Sequence, residues 1–331
     1  MTTHSNPLIS IGMPVYNGAL FLRQALDSLC SQTFTDIELI ISDNASTDDT
    51  ESICREYARN DQRIRYDRVT ENQGSVTNFN RLVGLARGKY FKWAAADDIC
   101  LPTYLESTLG VLESNPEVVW AHSQFGKIDL HGAVLSADDP IAEGLALSSE
   151  AGFPRDHHAS AERHRRFRGV LLGTAWCADI YGLIRKSALD SSVPMAVCFG
   201  SEKVLIGELA LRGVYREVPQ ALFYQRVHAD AAGHHVSRQG QGQVIAPSAK
   251  RKSTSSRLAL LRGHLRSIQN VVMTQRERAR CVGVVGEYVM QISKWKHVMR
   301  SEIFRLPLQA ASIPKDRSSV GGQSAIRQTK E

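Results

Sequence analysis

Two adjacent carboxylates, Asp97 and Asp98, close the run KWAAADDICLP at Lys92–Pro102. Side by side at a strand end they repel, and the residues flanking them carry no charge. A third acid, Asp43, ends the apolar run IELIISD. Glu202 opens a helical stretch that ends at Gly213, and His228 lies in YQRVH. Acids placed this way hold a divalent cation, accept N–H groups of a base, or take a proton. The plain alternatives are a helix cap before Pro102 for Asp97 and Asp98, a turn former for Asp43, and a first-turn acid favoured by the helix dipole for Glu202.

Something must position these acids. Leu8–Val15 is a short β-branched run. Gly18–Gln32 has apolar residues at 20, 22, 25, 26 and 29, the spacing of an amphipathic helix. Ile37–Ser42 is nearly all apolar, as in a strand buried on both faces. Ser46 or Thr47 should cap a helix running to about Asn60, with Asp48 and Asp49 in its first turn. A weaker strand at Arg63–Arg68, a helix at Ser75–Arg87 closed by Gly88, a strand at Tyr90–Ala95 and a helix at Pro102–Ser114 follow. This alternation predicts an α/β doubly wound sheet, mostly parallel. Ligands bind beyond the carboxyl ends of such strands, so the loops Pro14–Gly18, Asp43–Thr47 and Ala96–Ile99 form one neighbourhood. No GxGxxG follows the first strand and there is no Walker lysine, which argues against a dehydrogenase and a P-loop NTPase.

The pattern changes after Val118–Phe125. Lys127–Leu135 reads as a hairpin, and Ser136–His158 as a long loop with a His157-His158 pair unsuited to zinc. A basic helix at Glu162–Leu172, a strand at Asp179–Ile184, a helix at Glu202–Arg212 and strands at Val214–Val218 and Leu222–Arg226 complete the body. The chain has 331 residues, 43% of them hydrophobic and 22% charged, with a formal net charge of +6. Basic residues concentrate after Val236, while the preceding part is acidic. The expected division is a main domain over 1–235, a polar linker at 236–257, a basic helical extension at 258–310 and a disordered tail at 311–331. The six cysteines (30, 54, 100, 177, 198 and 281) form no CxxC pair and read as reduced thiols. The N-terminus has no leader pattern, and no run approaches the ~18 apolar residues of a membrane span. A cytoplasmic protein is expected.

In that order, PVYNG, SDNASTDDT and ENQGSVTNFNRLVGLARGKYFKWAAADD resemble the motifs of family 2 glycosyltransferases with the GT-A fold. The resemblance covers about residues 8–230. It implies transfer of a sugar, with inversion, from a nucleotide-diphosphate donor, and a Mg²⁺ or Mn²⁺ ion held by the Asp-rich motif. The physics agrees: a diphosphate needs a cation between its oxygens and the protein carboxylates. By this resemblance Asp98 is the direct metal ligand and Asp97 orients the donor sugar or ribose. Ala95 stands where a further acid is common. Asp43 would accept the imide N–H of uracil or thymine, or contact guanine. Pro14, Tyr16 and Asn17 would line the base, with Tyr16 equally suited to core packing. Asn72, Gly74 and Asn78 are weaker members of the same set. Phe79-Asn80 replaces an Arg-Asn pair that faces the diphosphate in the family. Glu202 takes the place of the catalytic base, with Asp179 and Glu208 as fallbacks. His228 would ligate the metal, touch the diphosphate, or simply face solvent. Trp176 could stack on an acceptor sugar.

The leading expectation is therefore a metal-dependent inverting glycosyltransferase acting on a glycan, lipid-linked or other acceptor in cell-envelope or exopolysaccharide synthesis. The basic C-terminal region suits an anionic membrane surface better than nucleic acid. The alternatives are a catalytically silent nucleotide-sugar-binding protein on the same fold and a nucleotidyltransferase; the latter would want a Gly-rich, basic first loop, which PVYNG is not.

Overall fold

The computed structural model describes residues 6–135, 159–173, 178–228 and 256–291. All belong to one compact unit, Met1–Ile292; a second unit, Ser293–Glu331, lies outside the described residues. So do the loop at 136–158, Trp176, Cys177 and nearly all of the expected linker.

Eight strands form one sheet: β1 Ile9–Val15, β2 Ile37–Asp43, β3 Ile64–Arg68, β4 Tyr90–Trp93, β5 Ile99–Cys100, β6 Val118–Ile128, β7 Leu183–Arg185 and β8 Val214–Arg226. Their order is β3-β2-β1-β4-β7-β6-β8-β5. The first four are mutually parallel; β7 runs antiparallel to β4 and β6, and β5 antiparallel to β8. This is the mostly parallel α/β sheet with a small antiparallel part expected above. Every residue of β2 is buried, in keeping with its unbroken apolar run.

Helices α1 Ala19–Cys30, α2 Thr50–Asn60, α3 Ser75–Leu85 and α4 Tyr104–Ser114 cover the two faces. Helix α1 buries Phe21, Leu22, Ala25, Leu26 and Leu29, the stripe read from its spacing except that Phe21 takes the place of Leu20, which is 81% exposed. Helix α3 stops at Leu85, with Ala86 already extended, so Gly88 does not close it. The glycine serves packing instead: a Cβ there would meet the Ser10 backbone nitrogen at 2.6 Å. Helix α2 begins at Thr50, later than the expected Ser46 or Thr47 cap. Ala45 adopts φ 65°, which turns the chain once more before the helix can start.

The second half departs further from expectation. The strand expected at Asp179–Ile184 is a 3₁₀ turn, Ala178–Tyr181, followed by the short β7. The two strands expected at Val214–Val218 and Leu222–Arg226 are one, β8, parallel to β6. Val218 pairs with Ser123 and Ala221 with Gln124, so Pro219 and Gln220 form a bulge. Proline, lacking an N–H, is tolerated there. The basic helix is shorter than expected: α5 spans Arg163–Arg168 and widens into a π turn, Gly169–Gly173. The Lys127–Leu135 hairpin is present, with Gly132 at φ 89°. The described cysteines, Cys30, Cys54, Cys100, Cys198 and Cys281, are free thiols.

After the short α6, Lys186–Asp190, helix α7 spans Glu202–Arg212, α8 Ser256–Asn270 and α9 Gln275–Met290. Thr274 and Glu277 cap α9 reciprocally. Helix α8 packs on α7 as part of the main body: a Cβ on Gly263 would lie 2.9 Å from Val204. Glu208 of α7 is buried and accepts hydrogen bonds from Arg212 (2.7 Å), Asn270 (2.7 Å) and the Val193 N–H (3.1 Å). It braces α8 through Asn270.

His264 of α8 is buried against Phe167 and Tyr288. Burial pushes its imidazole down to about 3. The unfolded value is about 6.5, so between those limits the folded chain binds fewer protons. Stability is therefore full above about pH 6.5 and falls as pH drops toward 3. Thermal unfolding of His264→Leu across that window should show a shallower acid decline than the parent chain.

Candidate active site

Strands β1, β2 and β4 end together, with Val15 beside Asp43 and Gly12 beside Trp93. The three expected loops therefore meet at one sheet edge. The first two are laced together. The Asn17 N–H donates to Ser46 Oγ at 2.9 Å, and the Thr47 N–H donates to Asn17 Oδ1 at 2.8 Å. Asn17 holds φ 50°, a left-handed turn that asparagine tolerates. The Gly18 N–H donates to Thr50 Oγ1 at 3.0 Å and the Ala19 N–H to the Asp48 carboxylate at 3.1 Å. Asp48 thus caps the start of α1, besides accepting from the Thr50 N–H.

Asp43 is buried at this edge. Oδ1 accepts from the Ser46 N–H at 2.9 Å and Oδ2 from the Tyr66 hydroxyl at 2.6 Å. The Arg68 guanidinium lies 3.3 Å from Oδ2. Tyr66 and Arg68 thus share Oδ2, and the Asp43 side chain has no exposed surface. Asn72 Oδ1 accepts from Asn44 and from the Gly74 N–H, and Gly74 itself turns at φ 85°. Asn78 is buried, exchanging hydrogen bonds with the Ser42 hydroxyl (2.6 Å) and carbonyl (2.8 Å). The side chains of Asn17, Asn72 and Asn78 thus brace the loops. Pro14 is partly buried, while Tyr16 is 49% exposed and so is not packed in the core. Phe79 stacks on Trp93 at 6.1 Å, and Asn80 clasps the Met195 backbone through both amide atoms.

The two acids after β4 diverge. Asp98 turns inward, 7% exposed, and accepts the Arg226 N–H at 2.9 Å. Burial, and then the neighbouring Asp97 charge, push its carboxyl well above the usual range. Asp97 keeps 30% of its side chain exposed and lies 2.9 Å from His228 Nε2. The outward carboxylate is therefore Asp97, where Asp98 was the expected ligand. His228 packs on Phe21 at 4.9 Å, which fixes the imidazole beside the acid.

Arg226 joins these pieces, a role that the YQRVH segment did not announce. Its Nε donates to the Asp97 carbonyl (2.9 Å), Nη1 to the carbonyls of Asp129 (2.9 Å) and Leu130 (3.1 Å), and Nη2 to Gln24 Oε1 (2.6 Å). The guanidinium lies over the Phe21 ring at 4.7 Å. One buried arginine thus ties β8, the loop after β4, the β6 hairpin and α1.

Glu202 stands in the first turn of α7, partly exposed. Burial raises its carboxyl above the usual glutamate range, which makes its ionised form a stronger base. The Tyr181 hydroxyl is raised first by burial and then by the charges of Asp98, Asp97 and Glu202. Asp179, the other fallback base, is buried in the turn leading to it.

Asp97 and His228 offer one oxygen and one nitrogen donor side by side. That suits Mg²⁺ or Mn²⁺, which takes few protein ligands and completes its shell with phosphate oxygens and water. Among the described residues no cluster of three or more His, Cys, Asp or Glu forms a larger protein cage.

The family model described as Glycosyl transferase family 2 matches residues 10–143. An uncharacterized glycosyltransferase of Rickettsia prowazekii, RP339, is 37% identical over 34% of this chain and 35% of its own length. One from Methanocaldococcus jannaschii, MJ1057, is 34% identical over 40% of this chain and 47% of its own. Chondroitin synthase of Escherichia coli is 32% identical over 39% of this chain and 19% of its own. The chain thus spans less than half the length of these curated relatives.

Among solved structures, S. aureus TarS 1-349 in complex with UDP-GlcNAc superposes with a TM-score of 0.60 at 14% identity, covering 89% of this chain and 76% of that one. Mannosyltransferase PcManGT from Pyrobaculum calidifontis, in complex with GDP-Man and Mn²⁺, gives 0.51 at 14% identity, covering 91% and 83%. At that identity the likeness concerns the fold alone, and it extends over the second half of the sheet and beyond. The chain is thus similar to glycosyl transferase family 2 over residues 10–143, and its GT-A fold continues past them.

Proposed function

We propose that this chain transfers a sugar from a nucleotide-diphosphate donor to an acceptor hydroxyl, with inversion at the anomeric carbon. The observation that carries the reading is the 2.9 Å pairing of Asp97 with His228, 131 positions apart in the chain. It supports a divalent-metal site of two protein donors beside the loops that would take the base. TarS with UDP-GlcNAc and PcManGT with GDP-Man and Mn²⁺ make a nucleotide sugar with metal the natural donor class.

Tyr16 presents its ring toward the base, and Asp43 would accept a base N–H once the covering Tyr66 and Arg68 side chains move aside. Asp97 and His228 would hold the cation, while Asp98 and Arg226 fix the loop that carries Asp97. Bound there, Mg²⁺ or Mn²⁺ neutralises charge on the departing diphosphate. Glu202 accepts the proton of the acceptor hydroxyl as its oxygen attacks the anomeric carbon from the opposite side. The diphosphate leaves with the bonding electrons, and Glu202 keeps the proton. The acceptor is a glycan or lipid-linked hydroxyl, consistent with envelope or exopolysaccharide synthesis in the cytoplasm. The basic C-terminal region would sit against an anionic membrane face; no described helix is long and apolar enough to cross one.

Thermal shift with UDP-, GDP- and dTDP-sugars in Mn²⁺, followed by product analysis, tests this. One nucleotide class should stabilise the chain only with metal, and Asp97→Asn should abolish that shift. No donor shift in Mn²⁺ would sink the transferase reading. A shift without turnover would favour a silent binding protein.

A further inference from the structure

Lys92 has no part in the chemistry above, and its place is unfavourable for a cation. It lies on β4, fully buried, on the sheet face shared with Tyr90. An apolar side chain there would need no desolvation. Burial pushes its ammonium below the ordinary lysine range. Nζ donates to the Tyr181 carbonyl at 2.5 Å. It lies 4.5 Å from the Tyr104 ring centroid and 5.3 Å from that of Phe223. The Tyr104 hydroxyl donates to the same carbonyl at 3.0 Å. The Tyr181 ring stacks on Phe223 at 5.8 Å. Two donors on one carbonyl, and a stacked ring beside it, leave Tyr181 little freedom.

These contacts span the two halves of the site. The strand that carries Lys92 leads directly to Asp97 and Asp98. The turn it grips, Ala178–Tyr181, packs against both β4 and α7, the helix that opens with Glu202. We propose that Lys92 is a positioning residue: its ammonium pins the Tyr181 carbonyl and so fixes the spacing between the donor-side acids and the base Glu202. The inference rests on the transferase reading. A hydrogen-bonded ammonium suits this task because an apolar side chain would fill the space without fixing the carbonyl.

The test is Lys92→Met in the full-length chain, with UDP-GlcNAc or GDP-mannose, whichever the parent chain uses. Donor Kd in Mn²⁺ should stay at the parent value, while kcat for transfer falls about 10²-fold, as for a misplaced reacting group. An unchanged kcat overturns the proposal. So does a kcat loss accompanied by an equal loss of donor affinity, which would mean general disruption. Tyr104→Phe covers the case in which Lys92→Met does not fold. It keeps the ring and the ammonium and removes one of the two donors to the carbonyl. Its kcat should fall about 5-fold at unchanged donor Kd, and a kcat equal to the parent's counts against the proposal. Failure of the transferase reading itself would appear in the parent chain, as absent donor binding or turnover.

Discussion

Glu202→Gln should bind the nucleotide sugar as tightly as the parent chain and transfer it about 10²–10⁴-fold more slowly. Glutamine keeps the shape and the hydrogen-bonding reach but cannot hold the proton. Single-turnover transfer and donor calorimetry separate the two effects. The pH profile gives a second readout. Burial raises the Glu202 carboxyl above the ordinary value of about 4.3. Lowering the pH therefore protonates the base sooner than it would a solvent-exposed glutamate. The acid limb of kcat should lie closer to neutrality than 4.3, and in Glu202→Gln that limb should vanish. A variant with full transfer rate would move the base elsewhere.

Arg226→Ala should be the most damaging single change to stability. It strands the carbonyls of Asp97, Asp129 and Leu130 and the Gln24 amide oxygen, and it removes the positive charge beside Asp98. Breaking a buried charged network of this kind costs about 3–5 kcal/mol. At about 2–4 °C per kcal/mol, the apparent Tm should fall by roughly 10 °C. Arg226→Lys should recover only part of that loss, since an ammonium cannot fork to four partners on three elements. A Tm within 2 °C of the parent, on the order of the effect of a surface change, would show that the network is dispensable.

Periodicity made the first half of the fold legible. In β2, IELIISD has one reading, a strand buried on both faces, and it delivers Asp43 to the sheet edge. Helix α1 has a stripe that only a 3.6-residue period explains. The second half hides its order because tertiary pairing decides it. Pro219 looks like a strand end, yet the bulge opposite Gln124 lets β8 run through it. The two-residue β5 exists only because β8 lies beside it. Within the site, the paired acids and Glu202 stood out by type and position. Their division of labour did not: whether Asp97 or Asp98 faces outward depends on the Arg226 backbone, 128 positions further along. Lys92 was unreadable for a similar reason, since its partners come from the Ala178–Tyr181 turn and from α4. Asn78 suggested a ligand contact, but both its amide atoms are engaged by Ser42, while Asn72 uses its oxygen within the loop.

The reach of Arg226 back to Gln24 spans 202 positions and has a consequence for biosynthesis. Residues 10–143 contain Asp43, Asp97 and Asp98, yet Asp98 gains its backbone donor, and Asp97 its histidine, only when the chain has grown past position 228. At about 5–20 residues per second, a ribosome needs roughly 6–26 s to travel from Asp98 to Arg226. During that interval the nascent carboxylates have neither guanidinium nor imidazole. The loop after β4 therefore lacks these anchors until residues past 228 have been made.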